Sequence, residues 1–171
     1  MFTTAFSATG FDEAIAAAQP QRLHEPVARY HELCGLWVAN RQRVLAPKWR
    51  GALWKSVERK TEFESDDISA ETSVAPTAPH AKRMEFGTGE HYDGPGTAEP
   101  ARPTVTPSLN AWAEDHGFNS GAQVAAIIAY NGGILPRRYI RQTWDEFTRG
   151  PHDTQLRLLA DGMARALGGG R

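Results

Sequence analysis

The longest periodic stretch of the chain runs from about residue 21 to residue 45. Its apolar side chains recur at alternating intervals of four and three residues, which is the spacing of one stripe along an α-helix. Pro26 is best tolerated in a first turn, so the helix begins either near residue 21 or at Glu25, and Pro47 ends it. The predicted stripe consists of Leu23, Val27, Tyr30, Cys34, Trp37, Val38, Val44 and Leu45.

The next two segments alternate apolar and polar side chains with a period of two. They cover residues 57–63 and 68–74, and the polar residues 64–67 (ESDD) separate them. This pattern predicts an antiparallel β-hairpin at about residues 56–75 with one solvent-exposed face. The predicted inward positions are Val57, Arg59, Thr61 and Phe63 in the first strand and Ile68, Ala70, Thr72 and Val74 in the second.

The rest of the chain is predicted to be mainly helical. A glycine- and proline-rich loop interrupts it, and loops of this length are usually functional or mobile. In chain order, the predicted elements are a short helix or third strand at residues 79–86, the loop at 87–105, helices at 107–116 and 119–130, a helix or strand-then-helix at 138–147, and a last helix at 154–167. Asp153 is the expected cap of the last helix, and its stripe consists of Leu156, Leu159, Met163 and Leu167.

This order of elements predicts an α+β fold, in which a small central antiparallel sheet is flanked by a long N-terminal helix and C-terminal helices. Residues 1–19 are expected to be a flexible N-terminal segment, in which residues 11–18 could form a short helix. A single domain is expected at residues 20–168, with a helical insertion at 107–131, and residues 169–171 form a frayed tail.

Composition excludes several classes of protein. The chain has 171 residues, 40% hydrophobic and 23% charged, with a formal net charge of −1, as expected for a soluble globular protein. Such a balance argues against nucleic-acid binding by the whole surface. No apolar run suggests a membrane span, and residues 1–10 do not resemble a signal peptide. Cys34 is the single cysteine, so the chain has no internal disulfide, and assembly in a reducing cytoplasm is expected.

Catalytic motifs are absent from the sequence. His24 and Glu25 begin a zinc-protease HExxH pattern, but Ala28 occupies the position of the second histidine. His91 and Asp93 lie in a Gly-rich loop, where adjacent ligands rarely converge on one ion, so a solvated loop is favoured and a metal-dependent hydrolase ranks far behind. We therefore expect no enzyme activity, no catalytic residues, no cofactor and no metal site.

Two groups of basic residues could face phosphate groups. Their alternative role is a solvated surface or salt bridges between subunits, which the sequence favours. A small DNA-binding or regulatory protein that uses the group Arg137, Arg138 and Arg141 remains an alternative from another class. The two groups are Arg41, Arg43, Lys48 and Arg50, and Arg137, Arg138 and Arg141.

Three short motifs occur in a set order. APKWRGALWKSV at residues 46–57 resembles P-x-x-T-G-x-L-x-x-S-I, PHAKRMEFGT at 79–88 resembles P-Y-A-x-x-V-E-F-G-T, and LPRRYIRQTW at 135–144 resembles R-P-F-L-R-P-A before a terminal helix. These motifs are similar to those of the neck and tail-completion (head–tail joining) proteins of long-tailed, lambda-like bacteriophages, and the resemblance covers about residues 20–168. The chain departs from the pattern at Arg50, where the family has Thr, and at Gln142, where it has a second Pro.

The resemblance implies a structural virion protein rather than an enzyme. Such a protein forms a ring of identical subunits, a hexamer, at the head–tail junction, and is assembled in the host cytoplasm. Its partners would be itself, the head-closure or connector proteins, and the tail terminator or tail-tube proteins. DNA would pass through the channel without sequence recognition. A tail terminator or tail-tube cap is the related alternative.

A closed ring needs two different complementary surfaces on each subunit, and aromatic and arginine side chains are common anchors in such interfaces. Trp49, Trp54 and Tyr139 are candidates for this role, although each could instead fill the core. The full set of expected interface residues is Trp49, Trp54, Glu85, Phe86, Tyr92, Arg137, Arg138 and Tyr139.

Overall fold

The computed structural model describes residues 20–48, 51–64 and 69–168. Their helices and their two-stranded antiparallel sheet confirm the predicted α+β fold. The expected helix at residues 11–18 and the expected tail at 169–171 lie outside the described residues. The elements are α1 (Pro20–Leu45), α2 (Ala52–Lys55), β1 (Val57–Phe63), β2 (Ala70–Pro76), α3 (Ala81–Phe86), a 3₁₀ turn (Gly89–His91), α4 (Pro107–Asp115), α5 (Gly121–Tyr130), α6 (Tyr139–Thr148) and α7 (Pro151–Gly168).

The described chain forms two compact units. The first unit contains the residues up to Ala78 and those from Ile140 onward, so it is built from two separate stretches of sequence. The second unit is the continuous segment Pro79–Tyr139. The hairpin and the long helix belong to the first unit, whereas the helix pair α4 and α5 belongs to the second.

The stripe of α1 forms the centre of the first unit. Leu23, Val27, Tyr30, Cys34 and Val38 are each at most 3% exposed. All of these except Leu23 pack in one cluster with Val57, Val74, Phe147 and Leu159 from the hairpin, α6 and α7. The helical spacing therefore identified most of the core correctly.

The predicted end of this stripe was wrong at Val44. Val44 is 60% exposed, and Gln42 is buried instead. A helix turns by about 100° per residue, so the stripe that passes through Val38 continues to Gln42, and Val44 lies about 200° farther around the helix. The polarity of Gln42 concealed this continuation in the sequence.

Pro26 lies inside α1 and does not mark its beginning, so the alternative start at Glu25 is also wrong. A proline at this position removes the backbone hydrogen bond that its N–H would donate to Arg22. The helix continues because α7 packs tightly beside it: a Cβ atom at Gly162 would lie 3.1 Å from the Pro26 Cβ atom. Packing between the two helices thus outweighs the missing bond.

The hairpin has the predicted alternation and packs against α1. Val57 pairs with Pro76, and Phe63 pairs with Ala70. Arg59, predicted to point inward, is exposed. Its guanidinium group donates to the Glu32 carbonyl, 2.8 Å away, because a charged group at this position can reach solvent and a backbone acceptor beyond the edge of the core.

Gly35 makes the close approach of the hairpin to α1 possible. A Cβ atom at this position would lie 2.6 Å from Cδ of Arg59 and 2.9 Å from Cγ2 of Thr72. Glycine is unfavourable in a helix interior relative to alanine. Here its missing side chain leaves space for the sheet.

The last two helices complete the first unit. Arg41 of α1 binds both carboxylate oxygens of Glu146 in α6, and the Nη2–Oε1 distance is 2.9 Å. The hydrogen bond from Arg41 and a second one from Gln142 lower the pKa of Glu146 to about 2. The pair fixes α6 against α1 through a two-pronged contact.

Two details of α7 differ from the sequence-based prediction. The helix begins at Pro151, and Asp153 lies in its first turn rather than at its cap. Proline is favoured in a first turn, where its missing N–H would have no helical acceptor. Along the predicted stripe, Leu159 is buried, whereas Leu156 and Leu167 are 39% and 50% exposed.

The second unit begins with α3, so residues 79–86 contain the helix rather than the third strand. The Thr106 side chain accepts a hydrogen bond from the Leu109 N–H at the start of α4, and Ser120 accepts one from Gln123 at the start of α5. Asn110 Oδ1 accepts a hydrogen bond of 2.8 Å from the Gly121 N–H, which joins the two helices. This pair occupies the region of the expected helical insertion.

Gln42 gives a first testable prediction. Its side chain is fully buried, and neither polar atom of its amide has a hydrogen-bond partner among the described residues. Leaving a buried polar group without a partner costs about 1–3 kcal/mol. Replacing Gln42 with Met, which has a similar volume, is therefore expected to raise the free energy of unfolding by about that amount.

Urea denaturation followed by tryptophan fluorescence would measure this change. A Gln42→Glu variant is the control, because burying a charge at the same site is expected to destabilise the chain. A Gln42→Met variant that is less stable than the wild type would show that the amide makes a favourable interaction.

Candidate functional site

Two of the expected interface residues, Trp49 and Trp54, belong to the first unit. Trp49 lies outside the described residues. Trp54 is half-buried, and the ammonium groups of Lys48 and Lys55 lie 5.5 and 5.6 Å from the centre of its ring. Cations at this distance are attracted by the face of an indole ring. Trp54 therefore lies among positive charges at the surface of the first unit.

Three of the expected interface residues are buried inside the second unit. Glu85, Phe86 and Tyr139 are 2%, 8% and 1% exposed. Burial raises the pKa of the Tyr139 hydroxyl, and the nearby charge of Glu85 adds to the effect. In the described chain, these side chains lie in the interior. Their expected part in an interface between subunits stays a prediction.

The motif that contains Glu85 and Phe86 forms an interlocked pair of loops. Thr88 N–H donates to the Ile134 carbonyl at 3.0 Å, and Ile134 N–H donates to Thr88 Oγ1 at 2.9 Å. Glu90 N–H donates to the Gly132 carbonyl at 2.8 Å. We call residues 87–90 together with 132–134 the loop clasp. These three hydrogen bonds hold the two loops together.

Arg137 and Arg138 follow the loop clasp and expose their side chains. Arg138 has a φ angle of +52°, which is uncommon for a residue other than glycine. Its guanidinium group forms a 2.8 Å ion pair with Asp93, and its N–H donates to the Glu85 carbonyl at 3.3 Å. These contacts account for the unusual backbone conformation of Arg138.

Tyr92 lies near the same loops and is half-buried. Its hydroxyl donates to the Pro95 carbonyl at 2.5 Å, and the Lys82 ammonium group lies 5.7 Å from the centre of its ring. The second unit thus contains the expected residues Glu85, Phe86, Tyr92, Arg137, Arg138 and Tyr139. Among them, the exposed charges belong to Arg137 and Arg138.

An exposed apolar helix face in the second unit was missed by the sequence-based prediction. Helix α5 has the sequence GAQVAAIIAY and contains no charged residue. Tyr130 is 92% exposed and Ile127 is 42% exposed, and Gln123 and Ala126 are exposed on the same helix. We call these four residues the α5 face. The lack of charge in this segment was the available signal.

A groove lies between α1 and α7 in the first unit, with a volume of about 460 Å³. Gly162 lies opposite Pro26, and His152 bonds to Tyr30, so the two helices run antiparallel. We call this feature the arginine groove. Its lining includes Arg22, Arg29, Leu33, Leu158, Gly162 and Arg165.

Candidate metal ligands and the cysteine thiol are the side chains of chemical interest. Among the residues that the structure describes, no group of three or more His, Cys, Asp or Glu side chains could hold a metal ion. His91 Nε2 lies 2.8 Å from the Asn131 carbonyl. Burial raises the pKa of the Cys34 thiol to about 12, so this cysteine is a core residue with little thiolate character.

None of the described helices has the length and apolar character needed to cross a membrane.

His31 gives a prediction about pH. The side chain is fully buried, its Nδ1 atom lies 3.0 Å from Thr72 Oγ1, and burial lowers its pKa below the ordinary 6.5. The unfolded chain therefore binds a proton more readily than the folded chain does. The neutral histidine makes its full contribution to the free energy of unfolding above pH 6.5. This contribution is lost progressively as the pH falls below that value.

Urea denaturation at a series of pH values between about 7 and 5 tests this prediction. His31→Gln keeps a polar group near Thr72 but does not titrate, so its stability is expected to fall less steeply with decreasing pH. The pKa of His80 is also lowered, first by burial and then by the charge of Arg83, so some dependence remains in the variant. If the free energy of unfolding fell equally steeply with pH in the wild type and in His31→Gln, the pH dependence could not be assigned to His31.

Comparison of the chain with protein-family models, curated proteins and solved structures finds no match. The function is therefore inferred from the residues and surfaces of this chain. The features available for that inference are the three ordered motifs, the α5 face, the exposed arginines after the loop clasp, and the arginine groove.

Proposed function

We propose that this chain is a structural subunit of a ring at the head–tail junction of a long-tailed bacteriophage. The observation that carries the proposal is the order of the three sequence motifs at residues 46–57, 79–88 and 135–144. The second motif supplies Gly87 and Thr88 of the loop clasp, and the third motif begins at the residue that follows the clasp. Residues in these motifs therefore have a structural role, which is consistent with a building block of the virion.

The α5 face supports self-association. A tyrosine that is 92% exposed beside an exposed isoleucine presents an apolar surface without charge repulsion. Depletion of charge and enrichment of tyrosine are typical of the centres of protein interfaces. In a closed ring, the α5 face of one subunit would contact a different surface of the next subunit, because ring contacts are heterologous.

A ring at this position would have two kinds of protein neighbour. Head-closure or connector proteins would bind one side, and tail terminator or tail-tube proteins the other. DNA would pass through the channel without recognition of its sequence, and the exposed guanidinium group of Arg137 is suited to loose contact with phosphates. The subunit would perform no reaction and would need no cofactor.

Phage particles that lack the gene provide the direct test. Electron microscopy is expected to show filled heads and complete tails that fail to join, or heads that lose DNA. Infectious particles of normal appearance would overturn the proposal. Localisation of the subunit in complete particles would distinguish a neck ring from a tail terminator, which is the related alternative.

The α5 face gives a separate test on the purified protein. Tyr130→Glu together with Ile127→Glu is expected to convert the ring to monomers in sedimentation velocity, because charges would be buried at the contact. Val105→Glu is the matched control, since Val105 is an exposed apolar residue of the same unit outside the α5 face. A monomeric wild type, or a ring that survives the double substitution, would contradict this contact.

A DNA-binding protein is the candidate from another class. Arg137 and Arg141 are exposed, which favours it, whereas Arg138 is already paired with Asp93. This candidate predicts salt-sensitive DNA binding by the purified protein, and an Arg137→Glu, Arg138→Glu variant should lose it. Equal DNA binding by this variant and the wild type would contradict the DNA-binding candidate.

A further inference from the structure

The arginine groove has an apolar floor that α1 and α7 leave uncovered. Leu158 is 49% exposed, and Leu33 is partly buried on the opposite helix. Gly162 contributes no side chain, so α7 approaches Pro26 closely while the lining remains concave. Two parallel or antiparallel helices with an apolar groove between them are suited to receive the apolar side of a third helix.

The rim of the groove is positively charged. Arg22, Arg29 and Arg165 contribute three positive charges and Glu25 one negative charge, which leaves a net charge of +2 on the lining. Arg22 and Arg29 are exposed, and Glu25, which lies between them on α1, is the acidic residue of the lining. Arg165 donates from Nε to the Asp161 backbone carbonyl at 3.1 Å, a contact that leaves its charge uncompensated.

The spacing of these charges suits a helical occupant. Arg22 and Arg29 are seven residues apart on α1, which corresponds to two turns and about 10 Å. Carboxylates that recur every seven residues along one side of a bound helix would lie beside both arginines. Because Arg165 lies on α7, acidic residues on the other side of the bound helix would have a partner as well.

We propose that the arginine groove binds an amphipathic helix of another protein, with an apolar stripe flanked by acidic residues. The apolar stripe would cover Leu158 and Leu33, and the acidic flanks would pair with the three arginines. A second copy of this chain fits less well, because the exposed α5 face has no acidic residue. Duplex DNA fits less well too, because its phosphates gain nothing from an apolar floor. This inference does not depend on the position of the chain in a virion.

A designed peptide of about 15 residues is the appropriate probe, because helices of this length begin to be stable in water. It carries a leucine stripe with glutamates on both sides, and its partner peptide replaces every glutamate with lysine. Fluorescence anisotropy with the full chain is expected to show binding of the acidic peptide and not of the basic one. Equal binding of both peptides, or binding of neither, would overturn the proposal.

Substitutions in the chain then locate the site. Arg22→Glu with Arg29→Glu is expected to weaken binding of the acidic peptide about tenfold and to allow binding of the basic peptide. Arg157→Glu is the control, because Arg157 is exposed on α7 and lies outside the groove lining. Circular dichroism establishes that each variant is folded. If the control weakens binding as much as the double substitution, general electrostatic attraction explains the result and the proposal is rejected.

A matched pair of leucine variants tests the apolar part of the site. Leu158→Gln is expected to weaken peptide binding severalfold, whereas Leu156→Gln, on the same helix but outside the lining, should leave it unchanged. Both leucines are more than one third exposed, so neither substitution removes a core residue. Loss of self-association or of DNA binding in the Leu158 or arginine variants, with peptide binding unchanged, would assign the groove to those partners and overturn the proposal.

Discussion

Replacing Gly133 with alanine is expected to unfold the second unit or to destabilise it by more than about 4 kcal/mol, a loss that is exceptional for one substitution. The new Cβ atom would overlap the Thr88 carbonyl oxygen and lie 2.7 Å from its carbon, and neither backbone atom belongs to a flexible side chain. The φ angle of +127° is also outside the range that residues with a Cβ atom normally adopt. The loop clasp would therefore have to open.

Hydrogen exchange of peptides from the segment Pro79–Tyr139 would measure this loss. Gly96→Ala is the matched control, because Gly96 has a φ angle of +80° but nothing lies within 4 Å of a Cβ atom there. Its cost should be limited to backbone strain of about 1–2 kcal/mol. Equal protection in the two variants would show that the close contact with Thr88 is unimportant.

The second large effect is expected for Phe147→Ala in the first unit. The ring is fully buried, and its centroid lies 5.5 Å from that of Trp37 and 5.8 Å from that of Trp144. Truncation of a buried phenylalanine leaves a cavity and costs about 3–5 kcal/mol. Urea denaturation should report this loss, because the two neighbouring tryptophans are direct fluorescent probes of the site.

Two comparisons make the experiment specific. Phe147→Leu keeps most of the volume and should cost less than about 1.5 kcal/mol. Leu156→Ala removes a side chain that is 39% exposed and should have a much smaller effect than Phe147→Ala. If Phe147→Ala and Leu156→Ala were equally stable, the packing of α6 against α1 would not depend on the aromatic cluster.

The backbone elements were largely predictable because their patterns are local. Alternation with a period of two located both strands, and the apolar spacing of α1 identified Leu23 to Val38 as the core. The errors occur where packing between distant segments outweighs local preference. Pro26 continues the helix beside Gly162, and the stripe includes the polar residue Gln42. Neither arrangement can be read from neighbouring residues.

The surfaces were less predictable than the elements. Glu85, Phe86 and Tyr139 belong to recognisable motifs, but a motif does not reveal whether a side chain points toward solvent. The arginine groove joins residues that are more than one hundred positions apart, such as Arg29 and Leu158, so no spacing rule finds it. The glycine pair at residues 132–133 was a usable signal, since it faces another glycine-rich segment at 87–89.

The discontinuity of the first unit has a consequence for synthesis on the ribosome. Leu159 and Phe147 belong to the same core as Val38, yet they are translated only after the whole of Pro79–Tyr139 has been made. The nascent N-terminal stretch must therefore wait with its apolar stripe incompletely covered, whereas all residues of the continuous second unit have been translated earlier. Exposed apolar surface in such an intermediate is vulnerable to aggregation. Chaperone dependence should accordingly be greatest before release of the C-terminal helix from the ribosome.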